Sequence, residues 1–246
     1  MAKWVWYLCD RLVARSPAGR RRHARRSISL TGFFLLALTG AALAADGRDL
    51  VENGNGKGAP QCSACHGARG EGRPDAAYPR LAGIDARYLL RQLNDFADGN
   101  RDSQIMHPIA KALDPDERQA VASFYATLWA PKISEPKKPD DKTIGQGAHL
   151  AVRGNWSKGL PACGQCHGPS GQGVGGSFPR LAGQSAEYIV KELKAWKEGK
   201  RSNDPMNLMT GVASKLGDGE VLAVAAYYSS LPVPDAEPLR PEGAKP

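Results

Sequence analysis

The chain has 246 residues, which leaves room for one or two domains, and carries 33 basic and 25 acidic side chains. Eight of the basic residues but only one acidic residue, Asp10, lie within residues 1–45. The rest of the chain therefore holds 25 basic and 24 acidic side chains, a net charge of +1. This balance argues against the strongly basic surface of nucleic-acid-binding proteins, so we expect no nucleic acid among the partners.

Residues 1–45 have the layout of a secretory signal peptide. Several arginines precede an apolar run from Ile28 to Leu43, which ends in the small-residue pattern Ala-Leu-Ala at residues 42–44. The run is 16 residues long, shorter than the roughly 20 that a membrane-spanning helix needs. We therefore favour a cleaved signal over a permanent anchor, with cleavage near Ala44, and expect a soluble exported protein.

The remaining sequence is a tandem duplication. The segment CSACHG at residues 62–67 recurs 101 residues later as CGQCHG at 163–168. Likewise, YPRLAG at 78–83 recurs 100 residues later as FPRLAG at 178–183. A repeat of this length is too long for a solenoid unit and has the size of an ordinary small domain.

Proline-rich segments mark the limits of the two domains. Residues 131–142 contain three prolines among lysines and aspartates, which predicts an extended linker. We place domain 1 at residues 46–130 and domain 2 at residues 143–232. Residues 233–246 are also rich in proline and are predicted to form a disordered tail.

Both domains have helical patterns and little strand alternation. Asp114 and Glu117 flank a proline and predict a helix start with a capping box, and Val121 and Tyr125 follow at helical spacing. We predict an all-α fold with three or four helices in each domain. Since roughly 85 residues make only a thin core, a large apolar cofactor would help to fill it.

The four cysteines that follow residue 45 form two C-x-x-C-H motifs, which are the attachment signature of c-type haem. The motifs are Cys62, Cys65 and His66 in domain 1, and Cys163, Cys166 and His167 in domain 2. Positions i, i+3 and i+4 share one face of a helical turn. The two thiols can therefore bind the two vinyl groups of one porphyrin edge while the histidine ligates the iron. We predict two covalently bound haem c groups.

Other uses of these cysteines fit the sequence less well. A zinc site needs two more ligands nearby, and neither domain has a second cysteine pair. A thioredoxin-like dithiol expects an α/β pattern, which is missing. A simple disulfide would not explain the histidine that follows each pair.

Methionines are the candidates for the second protein ligand of each iron. Domain 1 has only Met106, which lies beside a rival ligand, His107. Domain 2 has Met206 and Met209, and either can be aligned with Met106, depending on the direction of counting. Counting back from the last helix favours Met209. We expect Met106 and Met209 to be the ligands, with His107 and Met206 as the open alternatives.

Two further sets of residues are candidates for support of the haems. Pro79 and Pro179 lie 13 and 12 residues after the motif histidines, and their carbonyls could accept a hydrogen bond from the histidine rings. Four arginines at matching positions could pair with haem propionates or be ordinary surface charges. These are Arg80, Arg101, Arg180 and Arg201.

Taken together, the paired C-x-x-C-H-G and P-R-L-A-G segments, the Y-x-x-x-x-L…G-x-R stretches and the late methionines resemble the two-domain class I cytochromes c of the c-four type. The resemblance covers about residues 46–231. It implies two tandem class I cytochrome c domains related by a pseudo-two-fold axis, with His–Met haems close to their interface. The sequence departs from the family pattern where His-Pro follows Met106, and where the distal loop of domain 2 is three residues longer.

The resemblance also implies a function. Members of the family are periplasmic, soluble or loosely membrane-associated, and pass electrons from respiratory donors to terminal oxidases or reductases. We expect a monomeric electron carrier with redox proteins as partners. The alternatives are a cytochrome subunit docked permanently on a dehydrogenase, and a two-haem peroxidase-like enzyme, which needs an iron that opens.

Overall fold

A computed structural model describes residues 45–133, 135 and 139–233. The predicted signal peptide and tail therefore lie outside the described residues, except for Ala45 and Val233. Within the described ranges no helix is both long enough and apolar enough to span a bilayer. The described residues form helices and isolated β-bridges, without a strand.

The two halves of the chain contain the same succession of five α-helices. In the first half these are α1 (Gly47–Asn53), α2 (Ser63–His66), α3 (Ala86–Asp98), α4 (Met106–Ala112) and α5 (Pro115–Thr127). In the second half they are α6 (Asp141–Arg153), α7 (Gly164–His167), α8 (Ala186–Lys197), α9 (Leu208–Ala213) and α10 (Asp218–Ser230). Short 3₁₀ turns lie at Pro74–Ala76, Trp156–Lys158 and Pro205–Asn207.

The all-α prediction is confirmed, but the number of helices per half is larger than the predicted three or four. The C-x-x-C-H segments form short helices of their own, α2 and α7. The methionine-containing segments also form short helices, α4 and α9. Such short helices carry too few residues for an apolar period to be visible in the sequence. Helix α6 begins at Asp141, inside the range assigned to the linker.

Each half has its own apolar core built on its last helix. In the first half Leu50 of α1 and Leu89 of α3 pack with Val121 and Tyr125 of α5. The second half repeats this arrangement with α6, α8 and α10. The predicted capping box is present at the start of α5, where the Glu117 amide donates to the Asp114 carboxylate at 2.9 Å and the Asp114 amide donates to Glu117 at 2.9 Å.

Glycines allow the first and last helices of each half to approach closely. A Cβ atom added at Gly147 of α6 would collide with the carbonyl of Ala223 and lie 2.7 Å from the Cβ of Tyr227, both on α10. A Cβ atom at Gly47 of α1 would collide in the same way with α5. Since contacts this short are repulsive, the helix crossings require glycine at these two positions.

We therefore predict opposite effects for two alanine substitutions in α6. Gly147→Ala should destabilise the haem-loaded protein by about 1–3 kcal/mol, because overpacking forces the two helices apart. Gly145→Ala is the matched control, since an added Cβ there meets no atom within 4 Å. It should stabilise the protein by about 0.5–1 kcal/mol through helix propensity. Equilibrium denaturant unfolding would measure both changes, and an unchanged stability in Gly147→Ala would contradict the close packing.

Candidate haem sites

The first C-x-x-C-H motif forms the turn of α2 and ends in a buried histidine. The ring atom Nδ1 of His66 lies 3.0 Å from the carbonyl oxygen of Pro79. A carbonyl can only accept, so Nδ1 carries the proton and Nε2 is the nitrogen with a free lone pair. Burial lowers the pKa of His66, which favours the neutral imidazole that metals bind.

The second motif, on α7, repeats this arrangement. His167 is buried, and its Nδ1 donates to the carbonyl of Pro179 at 2.8 Å. Burial again lowers the pKa of the ring. Both hydrogen bonds expected from the sequence are thus present. A ring N–H held by a carbonyl fixes the orientation of the imidazole, as in protein metal sites generally.

None of the four motif cysteines takes part in a disulfide. Burial raises the pKa of Cys62 to about 11 and also raises the pKa of Cys163. In the part of the chain that the structure describes, no group of three His, Cys, Asp or Glu side chains could hold a metal ion. The described residues therefore offer no zinc site as an alternative use of the cysteines.

A cavity of about 900 Å³ lies beside the two motifs. Its walls come from both halves of the chain and include both histidines and all four cysteines of the motifs. Most of the other lining side chains are aliphatic or aromatic, among them Leu89, Phe96, Ile189 and Trp196. A cavity of this kind suits a large apolar ligand attached at the motif cysteines.

Unpaired polar atoms on the cavity wall give an independent test of whether haem fits. Among the described residues, five buried side-chain nitrogen or oxygen atoms lack a hydrogen-bond partner, and four of them belong to cavity-lining residues. These are Arg91 Nε, Tyr125 Oη, Arg180 Nε and Trp196 Nε1. Buried polar groups normally have partners. Because all four atoms can donate, the carboxylates of a haem are suitable acceptors, and the residues present fit the group.

The methionines differ in how they meet this cavity. Met106, the first residue of α4, is half-buried and lines the cavity. Met209 of α9 also lines it and packs against the core of the second half. Met206 touches the cavity as well, but its side chain is 85% exposed and its backbone has a positive φ of 57°. The ring of His107 is not part of the cavity wall, and its Nδ1 is 2.7 Å from the carbonyl of Phe96.

Arg80 has a role in the structure that the sequence did not reveal. Its guanidinium donates to the backbone carbonyls of Ala82, Ala130 and Pro131, which fastens the start of the linker to the first half. Its backbone amide and carbonyl also bond the side chain of Gln184, at 2.8 and 3.0 Å. Since the protein satisfies this side chain, we do not assign Arg80 to a haem propionate.

Arg101 and Arg201 are also occupied by protein partners, and these partners lie across the contact between the halves. Arg101 donates to the hydroxyl of Tyr188 at 3.0 Å, and Arg201 donates to the hydroxyl of Tyr88 at 3.3 Å. The two arginines additionally form an antiparallel β-bridge with each other. Matching residues thus exchange matching contacts, as expected for an approximate two-fold axis between the halves.

Two acceptors between these arginines were missed by the sequence analysis. Arg101 and Arg201 both donate to the carboxylate of Glu192, at 2.9 and 2.7 Å. Both also donate to the side-chain carbonyl of Gln92, each at 2.9 Å. A position-by-position comparison of the repeats pairs Gln92 with Glu192. The sequence signal that could have identified Glu192 is a charged residue on the inner side of a helix.

Comparison with known proteins agrees with this description. The family model described as cytochrome c matches residues 44–129 and again residues 158–232. A "thiosulfate dehydrogenase electron acceptor" of Stutzerimonas stutzeri (strain A1501) is 45% identical over 203 residues, which are 82% of this chain and 94% of that protein.

Two solved structures are also similar. Reduced recombinant cytochrome c4 from Pseudomonas stutzeri superimposes with a TM-score of 0.63 at 33% identity, covering 69% of this chain and 93% of that one. The as-isolated form of a thiosulfate dehydrogenase from Marichromatium purpuratum gives a TM-score of 0.71 at 40% identity, covering 76% of this chain. This chain spans 40% of that longer protein. The chain therefore belongs to the cytochrome c family, as a two-domain electron-transfer protein of the c4 type with two covalently bound haem c groups.

Proposed function

We propose that this chain accepts electrons from a thiosulfate dehydrogenase in the periplasm and delivers them to terminal oxidases or reductases. The observation that carries the proposal is the 45% identity to the Stutzerimonas relative named for the acceptor role. The alignment includes 94% of that relative and 82% of this chain, so the likeness extends over nearly the whole length of the relative. The periplasmic location rests on the signal-peptide pattern of residues 1–45.

The same proposal assigns the residues that hold the haems. Cys62, Cys65, His66 and Met106 hold the first, and Cys163, Cys166, His167 and Met209 hold the second. When bound, haem supplies an iron that gains and loses one electron reversibly. Domain limits at 46–130 and 143–232 belong to this assignment, since each range contains one complete set.

The side chains around each site determine whether the iron transfers electrons or binds a substrate. Each proline carbonyl holds the Nδ1 proton of its histidine and so orients the ring and increases its basicity. Met106 and Met209 would supply a thioether ligand to each iron, which carries no proton and so adds no acid–base chemistry. The largely apolar cavity wall would disfavour water or a polar substrate beside the haem. These features favour outer-sphere electron transfer over substrate binding at the iron.

A permanently docked subunit is the second candidate. The solved thiosulfate dehydrogenase that resembles this chain is much longer, and this chain corresponds to 40% of it. A chain of this kind can therefore correspond to one part of a longer dehydrogenase. Gel filtration separates the two candidates, because a docked subunit elutes together with its dehydrogenase and a free carrier elutes alone.

The methionine assignment predicts a specific pattern among three variants of the haem-loaded protein. Met106→Ala and Met209→Ala should each remove about half of the far-red methionine–iron absorption of the oxidised protein and open one iron to cyanide. Met206→Ala is the matched control and should leave the spectrum unchanged, since its side chain is 85% exposed. Loss of the band in Met206→Ala but not in Met209→Ala would reverse the assignment in the second half.

The donor assignment predicts rapid reduction of the oxidised protein by catalytic amounts of a thiosulfate dehydrogenase with thiosulfate. Stopped-flow absorbance should show both haems reduced, because each half holds one. Omission of the enzyme is the control for direct reduction by thiosulfate. Reduction by ascorbate but not by the enzyme with thiosulfate would leave an electron carrier with a different donor and would contradict the proposal.

A further inference from the structure

The contact between the two halves contains a charged group that breaks their symmetry. Arg101 and Arg201 occupy matching positions, and so do Gln92 on α3 and Glu192 on α8. At the second pair of positions the first half has a neutral amide and the second half has a carboxylate. The structure thus places one carboxylate and two guanidinium groups around an approximate two-fold axis.

These groups are removed from solvent. The side chains of Arg101 and Arg201 are 7% and 5% exposed, and that of Glu192 is 13% exposed. Gln92 is buried and accepts from both arginines. Charges interact more strongly in such surroundings than in water, because the effective dielectric constant is lower. A carboxylate here therefore influences groups that an exposed carboxylate would not.

No neighbouring side chain among the described residues supplies a second negative charge to Arg101 or Arg201. Tyr88 and Tyr188 contribute neutral hydroxyls to the two guanidinium groups. Asp95 is bonded at 2.6 Å to the amide of Asn203, which also donates to Gln92. Among the described residues, Glu192 is the carboxylate within ion-pair distance of either guanidinium.

Glu192 remains ionised in this position. Burial by itself would raise the pKa of its carboxyl group, but Arg101 and Arg201 outweigh burial and lower the pKa. Burial likewise disfavours the charged form of Arg101, yet the oxygens of Tyr188 and Glu192 raise the pKa of its guanidinium. The three side chains therefore form a permanent charged cluster with one more positive than negative charge.

The position of this cluster relates it to both haem sites. Arg101, Arg201, Gln92 and Glu192 all belong to the wall of the cavity that both C-x-x-C-H motifs share. A negative charge on this wall stabilises the oxidised, more positive iron and lowers its reduction potential. The carboxylate is carried by α8 of the second half, and the matching position in the first half, Gln92, has no charge to balance it.

We propose that Glu192 is a positioning residue that holds Arg101 and Arg201 together between the halves, and that its carboxylate makes the reduction potentials of the two haems unequal. Gln92, in the matching place, provides the neutral counterpart. Both positions share the same pair of arginines, so the carboxylate can be moved from one half to the other by exchanging two residues.

The experiment is a spectroelectrochemical titration of the haem-loaded protein in four forms: wild type, Glu192→Gln, Gln92→Glu and the exchanged double variant. Glu192→Gln should raise the mean potential, shifting the ratio of reduced to oxidised protein at fixed poise by roughly ten-fold, about 59 mV for a one-electron couple. Gln92→Glu should lower the mean potential. The double variant should restore the wild-type mean.

The difference between the two potentials is the decisive readout. Glu192→Gln has no carboxylate at either position, so it gives the reference value of this difference. In wild type and in the double variant, the difference between the two potentials should change from the reference value in opposite directions. Gln184→Ala is the control, since it removes two neutral hydrogen bonds to Arg80 across the same contact without changing charge. It should weaken the contact between the halves and leave the mean potential unchanged.

Two results would overturn the proposal. The first is a shift in mean potential in Glu192→Gln that is no larger than the shift in Gln184→Ala. Glu192 would then have a merely structural role. The other is an identical difference between the two potentials in wild type and the double variant. If Glu192→Gln fails to load haem, Gln92→Glu keeps the test open, because a lowered potential supports the proposal and an unchanged one contradicts it.

Discussion

The hydrogen bond between a buried histidine and a proline carbonyl is the constraint on which each haem site depends. A buried ring N–H needs an acceptor, and the carbonyls of Pro79 and Pro179 meet this need for His66 and His167. The bond fixes which ring nitrogen is free for iron and holds the loop after each motif against the ring. The short turns α2 and α7 then place two thiols beside that ring, so one local arrangement brings together the residues proposed for attachment and for ligation.

Duplication turns this local arrangement into a two-site protein. The halves meet through exchanged contacts of Arg101 and Arg201, and the walls of both sites belong to one cavity. The hydrogen bonds across this contact hold the two sites in a fixed arrangement. Such an arrangement suits a protein that receives and delivers electrons at different surfaces. The symmetry is incomplete, because Glu192 has no charged counterpart in the first half.

The sequence predicts the parts of this structure that depend on local patterns. The two motifs, the capping box at Asp114 and the acceptor at Pro79 follow from spacing and residue type alone, and the structure contains the expected hydrogen bonds. Short helices such as α9 are not predictable in this way, and spacing alone favours Met206 or Met209 depending on the direction of counting. They depend on which side chain is buried when distant segments pack, and exposure differs sharply between the two methionines.

The central claim is that both irons are closed by a histidine and a methionine, so that the protein carries electrons without binding a substrate. Optical and paramagnetic spectra of the oxidised wild-type protein, recorded before and after addition of cyanide or peroxide, test it most directly. The account predicts two low-spin haems with the far-red methionine–iron band and no response to either reagent. A high-spin haem that binds cyanide promptly would contradict it and would indicate an iron open to chemistry.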